Sequence, residues 1–352
     1  MNPVRAAALV LASALLFGAS TPASKLLLER FHPVQLAAWL YLGAAVGVLP
    51  ALRGGRWRIP RGDRRTILRL LGAVLFGGVL GPVAVLLGLR LAPAASVSLW
   101  LNLELAATAV LGVLLFRDHL ARIGWLAVAG VVAAGVVLST GEGAGGFAAA
   151  GLVALACLFW GLDNHLTALI DGISPAGTTF WKGAAAGTCN LVLAGFLGAE
   201  RAGALPVLGA AGVGALAYGA SIALYITGAQ GMGATRAQLI FATAPFFGAA
   251  MSWLVLGETV SREHLLAGGL LAGSLTLLFG DRHEHEHVHE ALEHEHSHRH
   301  DDGHHHHAHP GLPAGVRHSH RHRHDPVTHA HPHWPDLHHR HRHASPAARN
   351  HT

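Results

Sequence analysis

Charge is what this chain has least of. Only 13% of its 352 residues are Asp, Glu, Lys or Arg, where a soluble domain carries about a quarter. Cysteine is nearly absent: Cys157 and Cys189 form no CxxC motif, exclude a disulfide framework, and read as small core residues within apolar runs. There is no HExxH, no phosphate-cradling glycine loop and no nucleophile–base constellation, so an enzyme is not expected. The formal charge of +5 does not signal nucleic acid. The largest positive cluster in the apolar part is one loop: Arg53, Arg56, Arg58, Arg61, Arg64, Arg65 and Arg69.

What fills the chain is apolar residues, 51% of the total, with a mean hydropathy of +0.40. A membrane span needs about 20 mostly apolar residues. Ten runs qualify: 4–24, 34–52, 67–89, 94–116, 122–140, 147–169, 176–198, 205–228, 234–256 and 264–280. Many are rich in Gly and Ala, and GxxxG spacings occur at Gly43/Gly47, Gly183/Gly187 and Gly269/Gly273. Tight packing within one bundle is the preferred reading of these, with a homodimer as the alternative. The first run, led by Arg5, also resembles a signal peptide, but it is read as a retained helix. The arginine-rich loop between spans two and three places that side in the cytoplasm. Both termini are then cytoplasmic, in the cytoplasmic (inner) membrane.

The two halves repeat at an offset of about 140 residues. Phe17-Gly18 matches Trp160-Gly161, Pro33 matches Pro175, and Trp39 matches Trp181. The segment 88–105 lies over 228–245, and Asp118 falls on Glu258. Five spans per copy turn the second copy upside down, the architecture of alternating-access carriers. The expected fold is thus an all-α polytopic membrane protein with ten transmembrane helices. They form an inverted 5+5 repeat, 1–141 and 142–280, followed by a disordered tail, 281–352.

At these residues the chain resembles the drug/metabolite transporter superfamily, EamA type. The aromatic-Gly pairs, the prolines Pro33 and Pro175 and the Gly257-Glu258 turn carry the likeness, over about residues 5–280. It departs where Leu105 follows Glu104 and where Arg117-Asp118 stands in place of Gly-Glu. The resemblance implies a ten-helix carrier of small metabolites coupled to a gradient. It does not imply a substrate.

Ionisable residues at membrane depth are expensive and mark function. Asp163, Asn164 and Lys182 lie in spans six and seven, and Glu104 and Asn102 in span four. Trp160, Asp163, Asn164 and Thr167 share one helical face, and Lys182, Ala186, Cys189 and Asn190 form a second stripe. Asp163 and Lys182 are expected either to line a central cavity, with Asp163 taking a coupling proton, or to form a structural ion pair. Glu104 is their counterpart in the first repeat. Gln238, with Pro245 in the same span, is a weaker candidate. His165 is read as a packed histidine and the only buried one in the spans. Asp118 and Glu258 are read as turn caps of the helices that follow them.

Residues 283–351 hold 25 of the 29 histidines. Segment 283–298 repeats at 318–333, with seven histidines in register. His283, His285, His287, His289, His294, His296, His298 and His300 belong to the first copy or its edge. His318, His320, His322, His324, His329, His331 and His333 belong to the second. Neutral imidazole takes Zn, Ni, Co or Cu, so the tail is expected to bind divalent metal while the transport itself needs no cofactor. Three functions remain open on sequence alone. One is a carrier of a small solute in the lipid bilayer with a metal-binding tail. Another is a carrier of the metal ion itself, fed by the tail. A third is a membrane-anchored metal sensor or store that transports nothing.

Overall fold

The computed structural model describes residues 2–52, 57–59, 63–116, 120–170, 172–200 and 202–280, and in the tail 286–289, 292–298, 318–324 and 327–330. The body is helical. Its first part runs α1 (Pro3–Gly18), α2 (Ser20–Leu27), α3 (Pro33–Gly47), α4 (Arg64–Ala73), a π-helical stretch Val74–Leu80, and α5 (Gly81–Leu91). It continues through α6 (Ala94–Trp100), α7 (Leu103–Phe116), α8 (Arg122–Gly141), α9 (Gly143–Ala168) and α10 (Pro175–Phe196). The rest comprises α11 (Ala204–Val213), a second π-helical stretch Gly214–Ala220, α12 (Ser221–Met232), α13 (Ala234–Phe241), α14 (Ala244–Val255) and α15 (Arg262–Gly280).

Local chemistry sets the ends. Pro3, Pro33 and Pro175 open their helices, where a missing N–H costs nothing. The Ser174 hydroxyl accepts from the Gly177 amide at 3.1 Å, and Asp63 accepts from the Arg65 amide at 3.0 Å to start α4. Gly233 (φ 92°) and Gly257 (φ 67°) turn the chain between helices in conformations that side chains with a Cβ resist.

Seven helices among the described residues are long and apolar enough to cross a membrane: Val4–Leu27, Arg64–Leu91, Ala94–Leu115, Arg122–Gly141, Gly145–Ala168, Ala204–Met232 and Arg236–Val255. Pro33–Gly47 is apolar but shorter. The helices α10 and α15 occupy two further expected spans but fall outside these seven. In α10 the polar residues Thr178, Thr179, Lys182 and Asn190 dilute the apolar run. Large side chains stand bare on the outer faces, Phe196 at 85% exposure and Leu254 at 84%. Such a surface suits hydrocarbon and not water.

Glycine lets the helices approach. A Cβ at Gly43 would lie 2.1 Å from the Ala211 carbonyl oxygen, and one at Gly214 2.0 Å from that of Leu40. Gly183 and Gly187 press in the same way on the backbone of α3, at Tyr41 and Ala38. Two of the three GxxxG spacings therefore serve packing within the chain, and Gly269/Gly273 meets nothing within 4 Å. Ser13 and Ser221 add a polar weld between α1 and α12, each hydroxyl donating to the other's carbonyl, at 2.7 and 3.1 Å.

Three sequence expectations change here. Glu258 does not cap the helix after it. Its two oxygens accept from the amides of Ala94 (2.7 Å) and Ala95 (2.8 Å), so it caps α6 from 163 and 164 residues away. Beside it, Lys25 donates to the carbonyls of Leu89 (2.6 Å) and Ala92 (2.9 Å), holding the preceding corner. Cys189 is exposed, unlike the buried Cys157: the outer face of α10 carries it. His165 is not the only buried histidine, because His264 is 4% exposed. Its Nε2 lies 3.0 Å from Ser96 Oγ, and Ser261 Oγ lies 2.8 Å from its Nδ1. Asp118 lies outside the described residues.

In the tail, four short segments are extended. The strand β1 (Glu286–His289) pairs antiparallel with β4 (Val327–Ala330), and β2 (Leu292–His298) with β3 (His318–His324). The register sets Glu293 opposite Arg323 and Glu295 opposite Arg321, and between them His294 opposite His322. Only the second copy of the repeat carries the arginines. His283, His285, His300, His331 and His333 lie outside the described residues.

Replacing Glu258 by Ala strips both capping bonds from α6 and is expected to cost about 1–2 kcal/mol. A thermal melt of the purified protein in detergent should show a lower midpoint than the parent. An unchanged midpoint would show that the cap contributes nothing.

Candidate functional site

Two helices that could have run unbroken are interrupted at matching places. Between α6 and α7 the chain makes a turn at Leu101-Asn102, and between α13 and α14 at Ala242-Thr243. Pro245 contributes to the second, since it has no amide to continue the ladder. Both breaks open into one cavity of about 430 Å³. In membrane carriers, interrupted helices in corresponding positions are the best pointer to a substrate site.

All six residues singled out from the sequence line this cavity: Asn102, Glu104, Asp163, Asn164, Lys182 and Gln238. Asp163 is 4% exposed. Its Oδ2 takes the Lys182 ammonium at 2.6 Å and its Oδ1 takes the Thr167 hydroxyl at 2.9 Å. The geometry is that of the ion pair anticipated above, set in the wall of the cavity anticipated with it. Glu104 accepts through Oε1 from the Asn164 amide at 2.9 Å, and the same amide reaches Thr108 Oγ1 at 3.2 Å. Gln238 accepts from the Tyr225 hydroxyl at 2.8 Å. His165 faces away from the cavity, its Nε2 lying 2.9 Å from the Thr108 carbonyl oxygen.

The π-helical stretch Val74–Leu80 explains how Asp163 is accommodated. A π turn leaves carbonyls out of the regular ladder, and three side chains take them up. Tyr41 and Trp160 both donate to the Gly77 carbonyl, Trp160 at 3.1 Å, and Asn190 donates to that of Gly78 at 3.0 Å. A Cβ on Gly77 would sit 2.0 Å from Asp163 Oδ2. The carboxylate thus rests in space that only glycine leaves. The second π stretch, Gly214–Ala220, lies 140 residues later and carries Tyr218 into the cavity wall.

Sequence reading missed the aromatic side of the site. Tyr41, Tyr218, Phe17, Phe241 and Tyr225 form a chain of rings, with successive centroids 6.2, 5.7, 5.3 and 5.2 Å apart. All five line the cavity. The Phe17-Gly18 motif is a usable signal for one of them, though in the sequence it marks only the repeat and the family likeness. Among residues with described side chains, no three His, Cys, Asp or Glu converge to hold a metal ion.

Comparison with known proteins agrees with this architecture. The model of the EamA-like transporter family matches the chain twice, over residues 4–140 and 147–280. An uncharacterized transporter of Methanothermobacter thermautotrophicus is 27% identical over 298 residues, covering 77% of this chain and 84% of that protein. A protein of known crystal structure superposes with a TM-score of 0.54 at 16% identity, over 77% of this chain and 94% of that one. That last likeness concerns the fold alone.

Replacing Lys182 by Met would leave Asp163 buried without its counter-charge, a change that costs about 3–5 kcal/mol. The double variant Lys182→Met/Asp163→Leu removes both charges and should recover most of that stability in the same detergent melt. If the double variant is no more stable than the single one, the two residues are not coupled.

Proposed function

The chain belongs to the EamA-like transporter family, and from this we propose that it carries a small organic solute across the cytoplasmic membrane by alternating access. The observation that carries the reading is the meeting of two matched helix breaks in a single polar-and-aromatic cavity. Ten spans in an inverted 5+5 arrangement accord with the double family match and with the 140-residue spacing of the two π stretches. In this arrangement the arginine loop and both termini face the cytoplasm. Asp163, Lys182 and Glu104 contact the solute or its coupling ion, with Asn102, Asn164 and Gln238 completing the polar set. The histidine-rich tail binds a divalent transition metal in the cytoplasm and is separate from the transport path.

An organic cargo is favoured over a metal ion by the carboxylates themselves. Asp163 is already spent on Lys182 and Thr167, which leaves Glu104 alone. A divalent ion wants several oxygen or imidazole ligands at once.

Two measurements test the proposal. Labelled amines, amino acids and organic acids would be screened for uptake into proteoliposomes. Asp163→Asn and Lys182→Gln should each lower uptake of whichever solute enters at least tenfold, with normal membrane insertion. Uptake unchanged in both variants would remove this cavity from the path. In parallel, zinc, nickel and cobalt flux would be read with an internal dye, and metal binding by equilibrium dialysis. The full chain should bind metal, a chain ending at Gly280 should not, and neither should pass it. Metal flux through the shortened chain would instead make the ion the cargo.

A further inference from the structure

We propose that the break between α6 and α7 is a subsite for a cationic nitrogen, occupied by the ammonium group of the transported solute. The inference rests on the transport reading above and names the chemistry of its cargo.

It follows from which hydrogen-bonding groups in the cavity are already used. Several donors of the cavity already have internal partners. Tyr41 and Trp160 donate to Gly77, Tyr225 to Gln238, Thr179 to the Pro175 carbonyl at 2.9 Å, and Asn164 to Glu104 and Thr108. Lys182 is committed to Asp163. The open capacity at the break is of the accepting kind. Asn102 is 1% exposed, its Nδ2 donates to the Leu99 carbonyl at 3.0 Å, and its Oδ1 has no hydrogen-bond partner. Leaving such an acceptor buried and unmet is costly. Two residues on, Glu104 uses Oε1 for Asn164 and brings its second carboxyl oxygen to the same break.

Charge points the same way. Two carboxyl groups, Glu104 and Asp163, stand in the cavity against one ammonium, Lys182, and Lys182 is paired with Asp163. An ionised Glu104 at membrane depth needs a counter-charge, which a bound monocation supplies where a neutral solute does not. The aromatic chain from Tyr41 to Tyr225 supplies the rest. Ring faces attract a cation within about 6 Å and offer apolar surface to its carbon body. A sodium ion would use the same oxygens but gains little from five rings.

Isothermal titration of the full chain in lipid nanodiscs decides the matter, with phenethylammonium, 2-phenylethanol and sodium chloride as probes. Phenethylammonium should bind at least tenfold tighter than the neutral alcohol, and sodium should not displace it. Glu104→Gln should erase the preference while keeping alcohol binding. Asn102→Leu, which removes the unmet acceptor, should weaken the amine several-fold relative to the alcohol, which keeps the test open if Glu104→Gln fails to fold. Equal binding of amine and alcohol, a preference that survives Glu104→Gln, or no binding of any probe would overturn the assignment. Sodium binding that excludes the amine would overturn it in favour of an inorganic ion. None of these results touches the flux test on Asp163 and Lys182, so the cargo assignment and the transport reading fail separately.

Discussion

A polar group at membrane depth has no water to fall back on, so the protein must answer it with another of its own groups. Asp163 shows how far that requirement reaches. Its carboxylate needs Lys182 from α10, Thr167 from its own helix, and the absence of a side chain at Gly77. Gly77 lies in a π-helical stretch, and the carbonyls of that stretch take Tyr41, Trp160 and Asn190 in turn. Satisfying one buried charge therefore commits residues on four separate helical segments. The pair contributes definition to the site more than net stability, because desolvation offsets much of its attraction.

The same economy shapes the packing. Helices without a hydrophobic force between them associate through close contact and buried hydrogen bonds. Here glycine supplies the first, at Gly43, Gly183, Gly187 and Gly214, and the Ser13–Ser221 weld supplies the second. These contacts mostly join the two halves of the chain, α3 to α10 and α1 to α12. The cavity therefore lies between halves that are tightly apposed around it, and its walls are drawn from both.

The legible part of the site was the part that violates the rules of its surroundings. An Asp, a Glu, a Lys or an amide inside an apolar run announces itself, and all six such candidates reached the cavity. Aromatic residues in a membrane helix carry no such signal, since lipid-facing, packed and site-lining rings read alike. Tyr218 and Phe241 were invisible for that reason. The partner of Glu258 was hidden by distance along the chain: a carboxylate in a turn looks like the cap of the nearest helix, and only the fold brings Ala94 to it. In the tail, the two histidine copies were legible as a repeat. Their pairing depends on an antiparallel register that sets the glutamates of one copy against the arginines of the other, and an offset comparison runs parallel and misses it.

The short helix α6 joins these observations. It has only seven residues, Ala94 to Trp100, all of them buried. Its first amides are held by Glu258, reaching from the turn after α14, while its last residue abuts the break that presents Asn102 and Glu104 to the cavity. Packed side chains on every face leave such a segment little freedom to bend, so a displacement at one end is transmitted to the other. The α14 side of the same linkage carries the second break, at Ala242-Thr243, into the same cavity. A change at either break therefore bears on the Glu258 cap, and a change at the cap bears on both breaks.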